Sequence, residues 1–194
     1  RAGLRLRRAM TGRLFLIVGP SGAGKDTVIA GTMARLVPED DVILARRIIT
    51  RPLHPGGAEQ HVPVTPAAFA RLRAAGAFAL DWDGLRYGLG VELRAWLAAG
   101  MTVIANGSRG ALPQARAAFG PALIATEITA RPETLAARLA ARGRESAEDI
   151  AARLSRTDAL PHAPVDLRIP NDDAPDVASG LLLAAIRQGA MICA

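Results

Sequence analysis

The chain has 194 residues, which fits one domain of ordinary size, and half of its residues are hydrophobic. Its apolar runs are short and broken by Arg, Asp, Gly or Pro, so none approaches the roughly 20 apolar residues that a membrane span needs, and we expect no membrane partner. The net charge of +6 and the pI near 11 would suit a nucleic acid, but the arginines are scattered and only two Trp, one Tyr and four Phe could stack on bases, so we expect no nucleic-acid partner.

Short continuous apolar runs mark the predicted strands, which should be buried on both faces. The first run ends in a glycine directly before a helical segment, as in a strand–loop–helix unit. The predicted strands span residues 14–18, 42–49, 101–105, 123–129 and 166–169.

Helical periodicity and capping residues mark the predicted helices. Thr65 and Pro66 open a short helix that ends at Gly76, and a capping box of Ser146 and Asp149 opens a helix that reaches about residue 159. One further helix should precede the strand 123–129, and the others span residues 27–36, 91–99, 132–141 and 175–188. Strands that alternate with helices predict an α/β fold of three layers, with a parallel sheet between two helical layers.

The composition of residues 50–90 differs from that of the rest, because Pro, Gly, His and polar residues predominate. We predict an inserted lobe there, within a single domain whose core comprises residues 11–49 and 91–188. Residues 1–8 are basic and patternless, so they are left out of this prediction, and Met10 is a candidate start. A single Cys193 excludes an internal disulfide and no secretion signal is recognisable, so we expect a cytoplasmic protein. The oligomeric state stays open, with a homodimer as one option.

A glycine-rich loop between the first strand and the first helix carries the strongest functional signal. Its glycines let successive backbone N–H groups face one point, the helix N-terminus adds positive potential, and a lysine can reach the β- and γ-phosphates. The motif therefore predicts a cradle for ATP. The cradle consists of Gly19, Pro20, Ser21, Gly22, Ala23, Gly24, Lys25, Asp26 and Thr27.

Lys25 is the only lysine among the 24 lysine and arginine residues. A lysine has a thin stem and a compact charge, so it suits a place where the cation folds back over a tight loop. The next residue is Asp26, where the usual motif has the Ser or Thr that ligates Mg²⁺. Thr27 follows it, so the sequence names both Asp26 and Thr27 as metal-side candidates without choosing between them.

A second phosphate-binding group is expected because a phosphorylated acceptor must be held in line with the donor. Arg47, Thr50 and Arg51 lie at the end of the second predicted strand, where guanidinium groups and a hydroxyl can bind phosphate oxygens. In the loop that follows, Glu59 and His61 are candidates for contact with the acceptor.

An arginine pair closes the helix predicted at 132–141. Arg138 and Arg142 are four residues apart and share a helix face. In a closing lid, which we place at about residues 142–149, they would neutralise charge on the transferring phosphoryl group, so both are predicted catalytic residues together with Lys25. An arginine-rich helix surface is the alternative.

Nine segments, spread over nearly the whole chain, resemble the guanylate-kinase-like branch of the nucleoside monophosphate kinases. Within that branch they are most similar to the ribose 1,5-bisphosphate phosphokinases of phosphonate utilisation. The segments are residues 19–27, 46–51, 59–61, 78–82, 84–88, 106–109, 112–116, 142–145 and 171–172.

This resemblance implies the reaction ATP + ribose 1,5-bisphosphate → ADP + 5-phosphoribosyl 1-diphosphate, with Mg²⁺ as the cofactor. The partners it implies are therefore ATP and a small phosphorylated sugar. It also implies further acceptor-binding residues, which are Trp82, Tyr87, Asn106, Ser108 and Arg109.

Guanylate kinase is the alternative enzyme, but the sequence departs from it. Guanylate kinases have a second Arg after the Thr-Arg-Pro segment and a tyrosine-containing stretch that holds GMP, whereas this chain has His54 and, over residues 59–64, no tyrosine. Their strand after the lobe ends in Asp, and this one ends in Asn106. A binding module without catalysis is the other alternative, although such modules typically lack the cradle. The segment between Trp82 and Tyr87 is shorter than in the phosphokinase family.

Overall fold

The computed structural model describes residues 12–52, 61–84, 86–141 and 164–191. Within these ranges the strands are β1 (Arg13–Val18), β2 (Val42–Ala45), β3 (Ile48–Ile49), β4 (Val62–Pro63), β5 (Phe78–Trp82), β6 (Tyr87–Gly90), β7 (Thr102–Asn106), β8 (Leu123–Thr129) and β9 (Leu167–Pro170). The α-helices are α1 (Lys25–Met33), α2 (Pro66–Ala74), α3 (Glu92–Ala98), α4 (Leu112–Phe119), α5 (Pro132–Ala141) and α6 (Pro175–Met191).

The main sheet has five parallel strands in the order β2-β7-β1-β8-β9. Its strands are apolar on both faces, and two buried clusters flank them. One cluster joins β1 to α1, α5 and α6 through residues such as Phe15, Val28 and Leu182. The other joins the opposite face of β1 to α3, α4 and the lobe through residues such as Leu16 and Leu93. The predicted three-layer α/β fold is therefore confirmed.

The lobe contains a second sheet of four short strands in the order β4-β3-β6-β5. In this sheet β3 pairs with β4 in parallel, and β6 runs antiparallel to both β3 and β5. Helix α2 packs on it, with the ring of Phe69 4.5 Å from that of Phe78. The sequence predicted an irregular segment with one helix here, so the three lobe strands β4, β5 and β6 were missed.

The apolar run predicted as one strand over residues 42–49 is two strands in two sheets. Ala45 pairs with Ala105 in the main sheet, whereas Ile48 pairs with Gly88 and Val62 in the lobe. The chain changes sheets at the exposed Arg46 and the half-buried Arg47. Because both halves are apolar and β-branched, hydrophobicity alone could not reveal the break.

The start of α2 agrees with its capping signal, whereas the start of α1 does not lie where the sequence predicted it. The Thr65 Oγ1 accepts a hydrogen bond from the N–H of Ala68 at 3.2 Å, as expected of an N-cap. Helix α1 begins two residues earlier than predicted, because Gly24 adopts a left-handed conformation (φ +85°) that turns the loop directly into the helix. The predicted helix from Ser146 to about residue 159 and the lid at 142–149 lie outside the described residues.

Because all strands of the main sheet run in parallel, the loops that follow β1, β2, β7, β8 and β9 leave it at the same edge. This edge carries the cradle, Arg47, Asn106 and the first turn of α5. No helix in the described ranges is both long and apolar enough to cross a bilayer.

Candidate active site

The glycines of the cradle are required by its backbone path. Gly19, Gly22 and Gly24 all have positive φ angles. A Cβ on Gly19 would collide with the carbonyl oxygen of Ile128, and one on Gly24 would lie 2.5 Å from Nδ2 of Asn171. The loop therefore packs too tightly against β8 and the end of β9 to accept side chains there.

Lys25 folds back over this loop, as its isolation among arginines predicted. Its ammonium group donates hydrogen bonds to the carbonyl oxygens of Gly19 at 2.9 Å and Pro20 at 3.0 Å. The charge thus sits over the start of the cradle, beside the N-terminus of α1. Both features favour an anionic ligand at this point.

Asp26, in the first turn of α1, contacts Asn106 at the end of β7. The Asn106 Nδ2 donates to Asp26 Oδ1 at 2.5 Å, and Asn106 is buried. Thr27 is exposed in the same turn. The two metal-side candidates therefore differ in environment, since Asp26 is held by a neighbouring strand.

Arg138 extends from α5 towards the cradle. One of its terminal nitrogens, Nη1, lies 3.8 Å from the position that a Cβ on Gly24 would occupy. This nitrogen is buried and has no hydrogen-bond partner among the described residues. A buried, unpaired donor is costly, so the position suits a ligand that brings acceptor oxygens. Arg142, its predicted partner, lies outside the described residues.

Asn171 and Asp172 follow β9 and hold the cradle and α5 together. The Asn171 side chain donates to the carbonyl oxygen of Ala23 at 2.7 Å. Asp172 accepts from the N–H of Arg131 and the hydroxyl of Thr134, both at 2.8 Å, so it caps α5 from another strand. Hydrogen bonds from Arg131 and Thr134 lower the pKa of Asp172. No role was predicted for this pair, although polar residues directly after a buried strand were a usable signal.

Three candidate acceptor residues stack on one another in the lobe. The guanidinium carbon of Arg47 lies 5.2 Å from the centre of the Tyr87 ring. The Tyr87 ring in turn stacks on Trp82, at 5.6 Å between ring centres and 12° between planes. Pairing of β5 with β6 places Trp82 opposite Tyr87, and Arg47 directly precedes β3, which pairs with the other edge of β6. The small sheet therefore brings these three residues together.

His61 links two parts of the lobe. Its Nε2 donates to the carbonyl oxygen of Arg51 at 2.8 Å, and the imidazole is buried. The N–H of Thr50 donates to the carbonyl oxygen of Arg86 at 3.1 Å, which ties the segment after β3 to the start of β6. Glu59 lies outside the described residues.

Ser108 and Arg109 follow β7, and Arg109 meets a buried carboxylate. Its guanidinium lies 3.9 Å from Glu127 on β8, and its side chain is only 9% exposed. Arg168 on β9 pairs with the same carboxylate at 3.2 Å. Glu127 was not predicted as a site residue, although an acidic residue inside the apolar run 123–129 was a signal.

The cradle fits a nucleoside triphosphate with a hydrated metal ion. Glycines that admit no Cβ, the Lys25 ammonium and the Arg138 Nη1, for which residues 12–52, 61–84, 86–141 and 164–191 offer no partner, all suit phosphate oxygens. Among the described residues no group of three or more His, Cys, Asp or Glu could hold a metal ion alone. Kinase sites usually bind Mg²⁺ through one or two carboxylates together with phosphate oxygens and water.

Comparison with known proteins gives the family. No family model matches the chain. Ribose 1,5-bisphosphate phosphokinase PhnN of Achromobacter xylosoxidans is 46% identical over 180 residues, which cover 90% of this chain and 92% of that protein. The chain belongs to the ribose 1,5-bisphosphate phosphokinase family. The member from Laribacter hongkongensis is 49% identical over 95% of this chain, which spans only 44% of that longer protein.

Among solved structures, guanylate kinase from Anaplasma phagocytophilum has the same fold as this phosphokinase family member, with a TM-score of 0.68 over 92% of this chain and 88% of that one. The sequence identity is 17%, so this likeness concerns the fold alone. The predicted guanylate-kinase-like P-loop fold and the predicted family are both confirmed.

Proposed function

We propose that this chain transfers the γ-phosphoryl group of ATP to ribose 1,5-bisphosphate, giving ADP and 5-phosphoribosyl 1-diphosphate. The observation that carries the proposal is the buried Nη1 of Arg138, which has no partner in the part of the chain that the structure describes and lies beside a glycine cradle already covered by Lys25. The acceptor is inferred from relatives that carry this activity in their names. We place the reaction in the cytoplasm, as part of phosphonate utilisation.

The reaction needs no general base. The attacking group is an oxygen of the sugar 1-phosphate, which is already ionised at neutral pH. This oxygen forms a bond to the γ-phosphorus, and the bond from that phosphorus to the β–γ bridging oxygen breaks, so ADP leaves with the electron pair. The protein's task is to bring two anions together in line and to screen their repulsion.

On the donor side, the backbone of residues 19–24 would bind the β- and γ-phosphates and Lys25 would reach their oxygens. Arg138, together with Arg142, would neutralise the charge that develops on the transferring group. We propose that Asp26 and Thr27 face the metal ion. When bound, Mg²⁺ would offset the negative charge of the phosphates.

On the acceptor side, we propose that the lobe, residues 50–90, and the adjoining Arg47 bind the sugar bisphosphate. Arg47 and Arg51 suit its phosphates, because a guanidinium can bind two phosphate oxygens at once. The remaining proposed contacts are those of Thr50, Glu59, His61, Trp82, Tyr87, Asn106, Ser108 and Arg109. A lid at about residues 142–149 would close over both substrates.

A coupled assay of ADP release with a panel of acceptors tests this proposal. Ribose 1,5-bisphosphate should be phosphorylated with a far higher kcat/KM than GMP, because the chain lacks the sequence features of a guanine pocket. A preference for GMP would make the chain a guanylate kinase on the same fold. ATP binding without turnover of any acceptor would instead indicate a binding module.

A further inference from the structure

The contact between Asp26 and Asn106 joins the two positions at which this chain departs from the usual P-loop pattern. In P-loop enzymes Mg²⁺ is held by a Ser or Thr after the cradle lysine and by an Asp from a neighbouring strand. Here the helix position carries the acid Asp26 and the strand position carries the neutral Asn106. The acidic side chain is therefore on the helix and the neutral one is on the strand, which is the reverse of the usual arrangement.

The hydrogen bond between them fixes the orientation of the Asn106 amide. A carboxylate can only accept, so Asn106 must present its NH₂ group to Asp26, as observed at 2.5 Å. Asn106 ends β7 opposite Ile17 of β1, one residue before the cradle strand ends. Its position is therefore set by the sheet and not by a loop.

Among the residues that the structure describes, this orientation leaves the other end of the amide, Oδ1, without a partner. Asn106 is only 7% exposed, and its Oδ1 is buried with no donor among the described residues. A phosphate oxygen is itself an acceptor and cannot satisfy it. A water molecule can, and Mg²⁺ usually keeps several waters when it binds to proteins with phosphates.

We propose that Asp26 and Asn106 act as one pair that faces the hydrated metal ion of the nucleotide. Asp26 supplies the negative charge, while Asn106 holds that carboxylate and accepts a hydrogen bond from a water of the ion through Oδ1. The inference rests on the proposed function only through the use of Mg²⁺ with ATP, and no part of it depends on the acceptor.

A different role for Asp26 makes a different prediction. An acidic side chain in the first turn of a helix interacts favourably with the helix dipole, whether or not a metal ion binds. In that case its loss would lower thermal stability and leave the response to Mg²⁺ unchanged. Nucleotide binding therefore has to be measured with and without the ion.

The experiment is calorimetric binding of ADP, with and without MgCl₂, to the full chain and four variants. These are Asp26→Asn, Asn106→Asp, the double exchange Asp26→Asn/Asn106→Asp, and Glu39→Gln as a control that removes an exposed carboxylate elsewhere. Asp26→Asn should reduce the Mg²⁺-dependent gain in ADP affinity about tenfold or more. It should also strengthen ADP binding without Mg²⁺, because a negative charge near the phosphates is gone.

The double exchange is the decisive variant, because it restores one carboxylate and one amide in reversed positions. The Mg²⁺-dependent gain in ADP affinity should return to within about threefold of the wild-type value. This is expected if the two side chains act together on the hydrated ion. A folded double variant that stays as insensitive to Mg²⁺ as Asp26→Asn would overturn the inference. So would an Asp26→Asn variant with a normal Mg²⁺ response.

If the double variant does not fold, Asn106→Ala provides a second test. This change leaves the Asp26 carboxylate in place, so it should weaken the Mg²⁺ response several-fold and leave Mg²⁺-free ADP binding nearly unchanged. An unaltered Mg²⁺ response would show that Asn106 takes no part in binding the hydrated ion. Because no acceptor is present, these outcomes are independent of whether ribose 1,5-bisphosphate proves to be the substrate.

Discussion

The cradle and the lobe sheet hold their candidate residues by different means. The cradle is fixed by hydrogen bonds to its own backbone, from Lys25 to Gly19 and Pro20 and from Asn171 to Ala23. The lobe holds Arg47 by a stack of side chains, with Tyr87 and Trp82 beneath it. Backbone contacts tolerate little substitution, whereas stacked side chains can be exchanged for others of similar shape. The donor side should therefore be more sensitive to conservative changes than the acceptor side.

The largest expected effect is that of Lys25→Arg. The charge is conserved, but the planar guanidinium is too wide to fold over Gly19 and Pro20 as the ammonium does. We expect kcat to fall about 100-fold or more, as when one preorganised electrostatic group is lost. Steady-state kinetics measure this, with circular dichroism as a check of the fold. Near-normal turnover would mean that the cradle is less constrained than its contacts indicate.

On the proposed acceptor side, Tyr87→Leu removes the ring on which Arg47 lies. Loss of a partly desolvated cation–π contact should raise KM for the sugar bisphosphate by about tenfold and leave KM for ATP unchanged. Tyr87→Phe is the matched control, since it retains the stack and lacks only the hydroxyl. If the Phe variant is impaired as much as the Leu variant, the hydroxyl and not the stack serves the acceptor.

A smaller effect is expected at Asp172, which caps α5 from the end of β9. Asp172→Asn should lower Tm by a few degrees, because a neutral amide accepts less strongly from the N–H of Arg131 and the hydroxyl of Thr134. The exposed neighbour Asp173 provides the control Asp173→Asn. Since α5 also carries Arg138, kcat should fall together with Tm. A variant with the wild-type Tm and a normal kcat would show that the Asp172 cap supports neither α5 nor the candidate site.

The same variant has a defined pH dependence. The folded-state pKa of Asp172 is lowered, chiefly by the N–H of Arg131, so its stabilising contribution is present above the unfolded pKa. That contribution is lost as the pH falls through the lower, folded-state value. The difference in Tm between wild type and Asp172→Asn should therefore be full at neutral pH and shrink in acid. A difference that does not change with pH would mean that the charge of Asp172 contributes nothing.

The smallest effect is expected far from both regions, at Asp40. Arg187 binds its carboxylate through two hydrogen bonds of 3.0 Å, which lower the pKa of Asp40. Asp40→Asn should lower Tm slightly at neutral pH, and this loss should vanish in acid by the same sign rule. Neither KM should change. A change in either KM would show that the pair of Asp40 and Arg187 affects substrate binding as well as stability.

Features that depend on residues close together in the sequence could be predicted, whereas features that depend on contacts between distant segments could not. The conformation of the cradle was predictable because Gly19, Gly24 and Lys25 lie within one loop, and local backbone geometry determines it. The lobe sheet was not, because β3 and β4 have two residues each and form only by pairing with distant segments. Likewise, the partners of Glu127 come from strands and loops that are separate in sequence, so their contacts required the fold.

The isolation of Lys25 also makes the chain unusually simple to probe chemically. Apart from the amino terminus, an amine-reactive reagent has a single target in the whole sequence, and that target lies over the cradle. A lysine-specific protease likewise has a single peptide bond to cut, between Lys25 and Asp26 in the first turn of α1. Labelling or cleavage at one residue would therefore report directly on occupancy of the proposed nucleotide site, without engineered reporters and without background from any other lysine.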